Sequence, residues 1–265
     1  MPRLERQIEG IDEALVERVV DRLCLLKPDA TAVLLTGSYL TGTASPASDL
    51  DLTVISSRPR VGYRAWFEER SGTAPLHVSS GTTTAGAWPA RATIPARWAL
   101  GFPALNKAAY LRTDDETRAQ VGNDPSLRHP ASEPELEDFL EFVLKAKRAA
   151  LADDELGLRW FAQGAAALAP GLLISLNEER IVCDRRDALD AALTPAVAPA
   201  DYADDLAICL RLTSTSGGAV HAAVARLGSR LLAFLREHAP DVDDQPELAR
   251  YLADGILQRH LGLIE

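Results

Sequence analysis

Asp49 and Asp51 stand two residues apart in the run Asp49-Leu50-Asp51-Leu52-Thr53-Val54-Ile55-Ser56. In an extended chain the side-chain period is two, so both carboxylates point to one face while Leu50, Leu52 and Val54 point to the other. Carboxylates a few ångströms apart repel each other unless a cation lies between them. Mg²⁺ suits such a pair, because it takes oxygen ligands and is commonly held by one or two carboxylates plus phosphate oxygens. Upstream, Gly37-Ser38 closes the apolar run Thr31-Ala32-Val33-Leu34-Leu35-Thr36. A glycine there lets the backbone approach a phosphate, amides opening a helix attract the anion, and Ser38 adds a hydroxyl donor. One strand end then offers phosphate donors and its neighbour offers metal ligands, which is what attack on an α-phosphate with departure of pyrophosphate requires. Alone, an Asp-x-Asp pair is commonly a solvated strand face, and a Gly-Ser pair commonly a turn. Their combination is far more specific, with a strand pattern before each and ten residues between Ser38 and Asp49.

The elements that must position these residues can be read from periodicity. Ile8, Ile11, Leu15, Val19 and Leu23 recur at helical spacing, and Lys27-Pro28-Asp29 ends that helix. Strands are expected over residues 31–36, 49–56 and 74–80, with a turn-rich stretch at 41–46. Tyr63, Trp66 and Phe67 suggest a short helix over 60–70. Residues 82–104 fit no element; their Trp88, Trp98 and Phe102 suit core packing or the wall of a ligand pocket. From about Pro134 onward the patterns are helical: 135–152, 153–168, 171–179, 185–193, 201–212, 219–238 and 246–260. The fold expected is therefore α+β: a small mixed-sheet domain over residues 1–125, followed by an all-helical bundle domain over 126–265. Gly122-Asn123-Asp124-Pro125 and His129-Pro130 supply linker chemistry between them.

Composition narrows the partners. A formal net charge of -10 argues against an extended nucleic-acid surface, which would be basic, and suits a cationic small molecule better. No run of 18 apolar residues appears and the N-terminus has no signal-peptide core, so no membrane association and a cytoplasmic location are expected. Cys24, Cys183 and Cys209 are too widely spaced for a zinc site and odd in number, so free thiols are expected.

The run from Leu35-Thr36-Gly37-Ser38-Tyr39 through Ser48-Asp49-Leu50-Asp51-Leu52 resembles the defining motif of the polymerase-β-like nucleotidyltransferases. In layout the chain is most similar to the bacterial aminoglycoside nucleotidyltransferases, which join such a domain to a helical C-terminal half. The resemblance implies two Mg²⁺ ions held by Asp49 and Asp51, with ATP or another nucleoside triphosphate bound by Gly37, Ser38 and Ser48. It also implies an acceptor hydroxyl on a small molecule, in antibiotic resistance or biosynthesis. Arg185 stands where the family has a lysine near the triphosphate, and Lys145, sharing a helix face with Arg148, could reach the same phosphates. The third carboxylate implied on the next strand is replaced by His77, in Pro75-Leu76-His77-Val78-Ser79. A histidine could accept the hydroxyl proton, but it brings no negative charge to a metal. A non-catalytic nucleotide- or partner-binding protein on the same fold is the competing expectation.

Overall fold

In the computed structural model, which describes residues 4–58, 62–70, 74–96, 99–132, 136–177 and 180–239, helix α1 (Glu13–Leu26) starts where the Asp12 carboxylate accepts from the Ala14 amide at 3.0 Å. It is followed by β1 (Ala30–Thr36), the short turn of helix α2 (Ser38–Thr41), β2 (Leu50–Ser56), β3 (Gly62–Glu68) and β4 (Leu76–Thr83). Then come α3 (Ala87–Ala90), β5 (Ala104–Asn106), β6 (Ala109–Thr113), α4 (Asp115–Val121) and β7 (Leu127–His129). Contacts divide the chain into two compact units: Met1–Pro95 with Ala104–Pro130, and Ala96–Pro103 with Ala131–Glu265.

The first unit is built on a five-stranded sheet of order β3-β4-β2-β1-β6. It is mixed, since β2 and β4 run parallel while the other neighbours are antiparallel. β5 and β7 form a separate antiparallel pair. Strand alternation sorts the side chains into two cores. Val33, Leu35, Leu50, Leu52, Val54, Leu76 and Val78 pack under Leu15, Val19 and Leu23 of α1. Ala32, Leu34, Ile55 and Tyr110 pack on the opposite face with Trp88, whose Nε1 donates to the Pro125 carbonyl at 2.8 Å. Trp88 thus serves as core; Trp98 lies outside the described residues.

Residues 62–68 form a strand where helical spacing was expected. In an extended chain Tyr63 and Phe67 share one face, both exposed, and Trp66 takes the other, packed against the α1 core. Pairing with β4 settles it: Trp66 lies opposite Val78 and Phe67 opposite His77, and aromatic side chains favour such pleated surfaces.

The second unit contains α5 (Leu136–Leu151), α6 (Glu155–Leu172), α7 (Arg185–Leu193), α8 (Tyr202–Cys209) and α9 (Gly217–His238). Asp154, Asp184 and Ser216 cap α6, α7 and α9 by accepting from the amides of Gly157, Asp187 and Ala219. The helix expected over 171–179 shrinks to a 3₁₀ turn, Ile174–Leu176, because α6 continues through Pro170 to Leu172. The expected helix over 246–260 lies outside the described residues. Contacts group residues 99–103 with the helices. Gly101, at φ +90°, lies so close to Gly171 that a Cβ would come within 2.7 Å of its Cα, and the Val182 amide binds the Pro103 carbonyl. By length and composition α9 is long and apolar enough to cross a membrane. Its Val220, Val224, Leu227, Leu231 and Leu235 are instead buried, and it packs on α5, α6 and α8. On its other side Arg226 pairs with the buried Asp205.

Candidate active site

The parallel register of β2 on β4 places Leu50 opposite Val78 and Asp51 opposite Ser79. Leu50, Leu52, Leu76 and Val78 turn to the α1 core, so strand parity puts Asp49, Asp51, His77 and Ser79 together on the other face. Asp49 directly precedes β2. Its Oδ2 lies 3.6 Å from Nδ1 of His77, with both side chains partly open to solvent (46% and 36%). The Phe67 ring, itself 70% exposed, lies against the His77 ring with centroids 5.1 Å apart.

Asp51 is held more firmly. Ser79, which is buried, donates its hydroxyl to Asp51 Oδ1 at 2.6 Å, and Thr36 donates to the Asp51 carbonyl from the opposite strand. Gly37 forms the remaining wall: with φ +75°, any Cβ there would come within 2.6 Å of Asp51 Oδ2. Glycine is therefore required twice, for the backbone conformation and for the space the carboxylate occupies.

Gly37 opens α2, where its carbonyl receives the Leu40 and Thr41 amides. The amides of Ser38 and Tyr39, first in so short a turn, have no intrahelical acceptor and suit an anion. Ser48 acts locally, in the turn before β2. Its hydroxyl accepts from the Ser45 amide at 2.8 Å while its own amide binds the Ser45 carbonyl at 2.9 Å. The resulting turn delivers the chain to Asp49. The structure thus gathers Gly37, Ser38, Asp49, Asp51 and His77 in the sheet unit. Lys145 and Arg185 belong to the helical unit. Lys145 is paired with Glu141 at 2.6 Å, between the rings of Phe142 and Phe161, and Arg185 is exposed at the start of α7.

Among the described residues no cluster of three or more His, Cys, Asp or Glu side chains could by itself hold a metal. Two carboxylates with room beside them are nonetheless suited to a divalent ion that takes its remaining oxygen ligands from water and phosphate. Sequence reasoning missed Ser79 and Phe67. Ser79 could have been found by extending the parity of His77 by two residues; Phe67 was hidden by the helical reading of its segment.

Residues 16–79 match the family described as "Nucleotidyltransferase domain", and residues 135–232 match "Nucleotidyltransferase, substrate binding domain". The first match contains Gly37, Ser38, both aspartates, His77 and Ser79. No curated protein matches the chain. Among solved structures it is similar to a nucleotidyltransferase-like protein from Exiguobacterium sibiricum 255-15, at 12% identity and a TM-score of 0.37, over 92% of this chain and 80% of that one. A likeness so distant carries no functional weight. The two family matches, following one another along the chain, make this protein a member of the nucleotidyltransferase superfamily and an enzyme of nucleotidyl transfer.

Proposed function

We propose that this enzyme moves AMP from ATP to a hydroxyl of a small polar acceptor, such as an aminoglycoside or another natural product. The acceptor oxygen attacks the α-phosphorus, the bond to the β-phosphate oxygen breaks, and pyrophosphate leaves. The observation that carries this reading is the pair Asp49 and Asp51 on one sheet face, with Asp51 wedged between Ser79 and Gly37. Asp49 and Asp51 would hold Mg²⁺, two ions by family resemblance, which when bound activates the attacking oxygen and offsets charge on the leaving pyrophosphate. Gly37 and Ser38 would bind the phosphates through amides and hydroxyl. His77 would take the acceptor proton: with Nδ1 facing Asp49, Nε2 is the nitrogen left to accept it. The acidic balance of the chain suits a cationic acceptor, and ATP as donor suits the cytoplasm.

The test is pyrophosphate release by the full chain with ATP, Mg²⁺ and a panel of aminoglycosides. Release is expected to need both an acceptor and the metal, and to be faster with ATP than with CTP, GTP or UTP. Release that survives EDTA would remove the metal from the reading. Absence of release with every aminoglycoside would remove that class of acceptor.

Gly37→Ala tests the wall behind Asp51. At φ 75° and ψ -162° an alanine occupies a region essentially confined to glycine, at a cost of about 1–3 kcal/mol, and its Cβ must displace the carboxylate. The variant is expected to melt at lower temperature and to lose roughly 10²-fold in kcat, the scale for a 1 Å misplacement of a reacting group. Unchanged kcat would show that Asp51 does not need this position.

A further inference from the structure

Two serines follow one another on β4, Ser79 and Ser80, and both are buried (7% and 3% exposed). Strand alternation sends them to opposite faces. Ser80 shares the parity of Leu76 and Val78, which turn to the α1 core, and Ser79 shares that of His77. The parallel register sets Ser79 beside Asp51, and its hydroxyl donates to Oδ1 at 2.6 Å. That length is typical of a hydroxyl bound to a charged carboxylate, a stronger bond than one between neutral groups.

This contact decides how the Asp51 carboxylate lies. Rotation of a carboxylate about its Cβ–Cγ bond is soft, with broad preferences. In Asp51 the main chain is fixed by the Thr36 hydroxyl, which donates to its carbonyl at 3.3 Å, and one oxygen is fixed by Ser79. Oδ2 then lies on the Gly37 side, where a Cβ on that glycine would come within 2.6 Å of it. Asp49 is held differently: its Oδ2 lies 3.6 Å from His77 Nδ1, and its side chain is 46% exposed. One carboxylate of the pair is therefore set before any ligand arrives, while the other retains more freedom. A ligand group already oriented spares part of the ordering cost of binding.

We propose that Ser79 is a positioning residue: its hydroxyl holds Oδ1 of Asp51 so that Oδ2 is presented toward the Gly37–Ser38 turn, to a divalent metal ion shared with the bound phosphates. The inference rests on the assignment of Asp49 and Asp51 to the metal, and it is independent of which nucleotide or acceptor the enzyme uses.

Mn²⁺ is the probe, titrated into the full chain without nucleotide and followed by the electron paramagnetic resonance signal of the free ion. A chain of formal net charge -10 attracts Mn²⁺ at unrelated places as well, so the binding counted is that which Asp51→Asn removes. Ser79→Ala is expected to weaken this binding about tenfold, the lower end of the effect of removing a hydrogen-bond partner from a metal ligand. Ser79→Thr keeps the hydroxyl on a residue suited to a strand, and should restore most of the affinity. Ser80→Ala removes an equally buried hydroxyl from the same strand and should leave Mn²⁺ binding unchanged, whatever it does to the melting temperature. Binding by Ser79→Ala equal to that of the wild type overturns the proposal and leaves the metal assignment standing. So does an equal loss in Ser80→Ala, which would trace the effect to strand packing, or a folded Ser79→Thr as weak as Ser79→Ala. If Asp51→Asn removes no Mn²⁺ binding, the metal assignment falls and the role of Ser79 falls with it.

Discussion

Exchange of Asp51 for asparagine is expected to lower nucleotidyl transfer by at least about 10³-fold, the upper scale for losing one preorganised electrostatic partner, with the fold intact. The two side chains have the same shape, and an asparagine oxygen can still accept the Ser79 hydroxyl that reaches Asp51 Oδ1 at 2.6 Å. The contact from Thr36 goes to the main chain and is untouched. What disappears is one negative charge on the face where a metal-bound triphosphate would sit. Asp49→Asn should be as damaging for the same reason, and its partly exposed side chain makes a structural effect smaller still. Pyrophosphate release reports the rate, and a thermal melt reports the fold. Full activity in either variant would sink the assignment of these carboxylates to the metal.

His77→Ala is expected to reduce kcat by about 10²-fold, the lower end of what a general base contributes, with the fold intact. The measurement is kcat of both proteins beside a thermal melt. A bystander histidine, tilted against the Phe67 ring and 3.6 Å from Asp49, would leave the rate as it is. The prediction therefore separates a base on β4 from one supplied elsewhere.

Much of the sheet-unit site was legible because its signals are local. Asp-Leu-Asp-Leu alternates with period two, and any strand made from it must divide carboxylates from leucines. Gly37-Ser38 ends a β-compatible run, whatever lies beside it. The helical half was legible for the same reason: Asp154, Asp184 and Ser216 announce helix starts through side-chain oxygens a few residues from the amides they cap. Periodicity was ambiguous where the answer depended on a distant partner. Tyr63, Trp66 and Phe67 fit helical spacing, whereas in a strand Trp66 falls on the face opposite Tyr63 and Phe67; only pairing with the edge of β4 makes residues 62–68 a strand. The strands within residues 104–129 were not read from the sequence, for a related reason. Their short strands β5, β6 and β7 carry little pattern of their own and are recruited by edges formed far away in sequence.

The sequence by itself determined that two carboxylates share a strand face after a glycine-serine turn, and that helices fill the second half of the chain. Local sterics and side-chain period are enough for both. Tertiary structure alone decided that Ser79 grips Asp51, that Gly37 leaves room for that carboxylate, and that Phe67 lies on His77. It alone grouped residues 99–103 with the helices and left the Tyr202 hydroxyl buried without a protein partner among the described residues. Such features arise from register and close packing between segments remote in the chain, where each partner's burial and hydrogen bonding depends on the other.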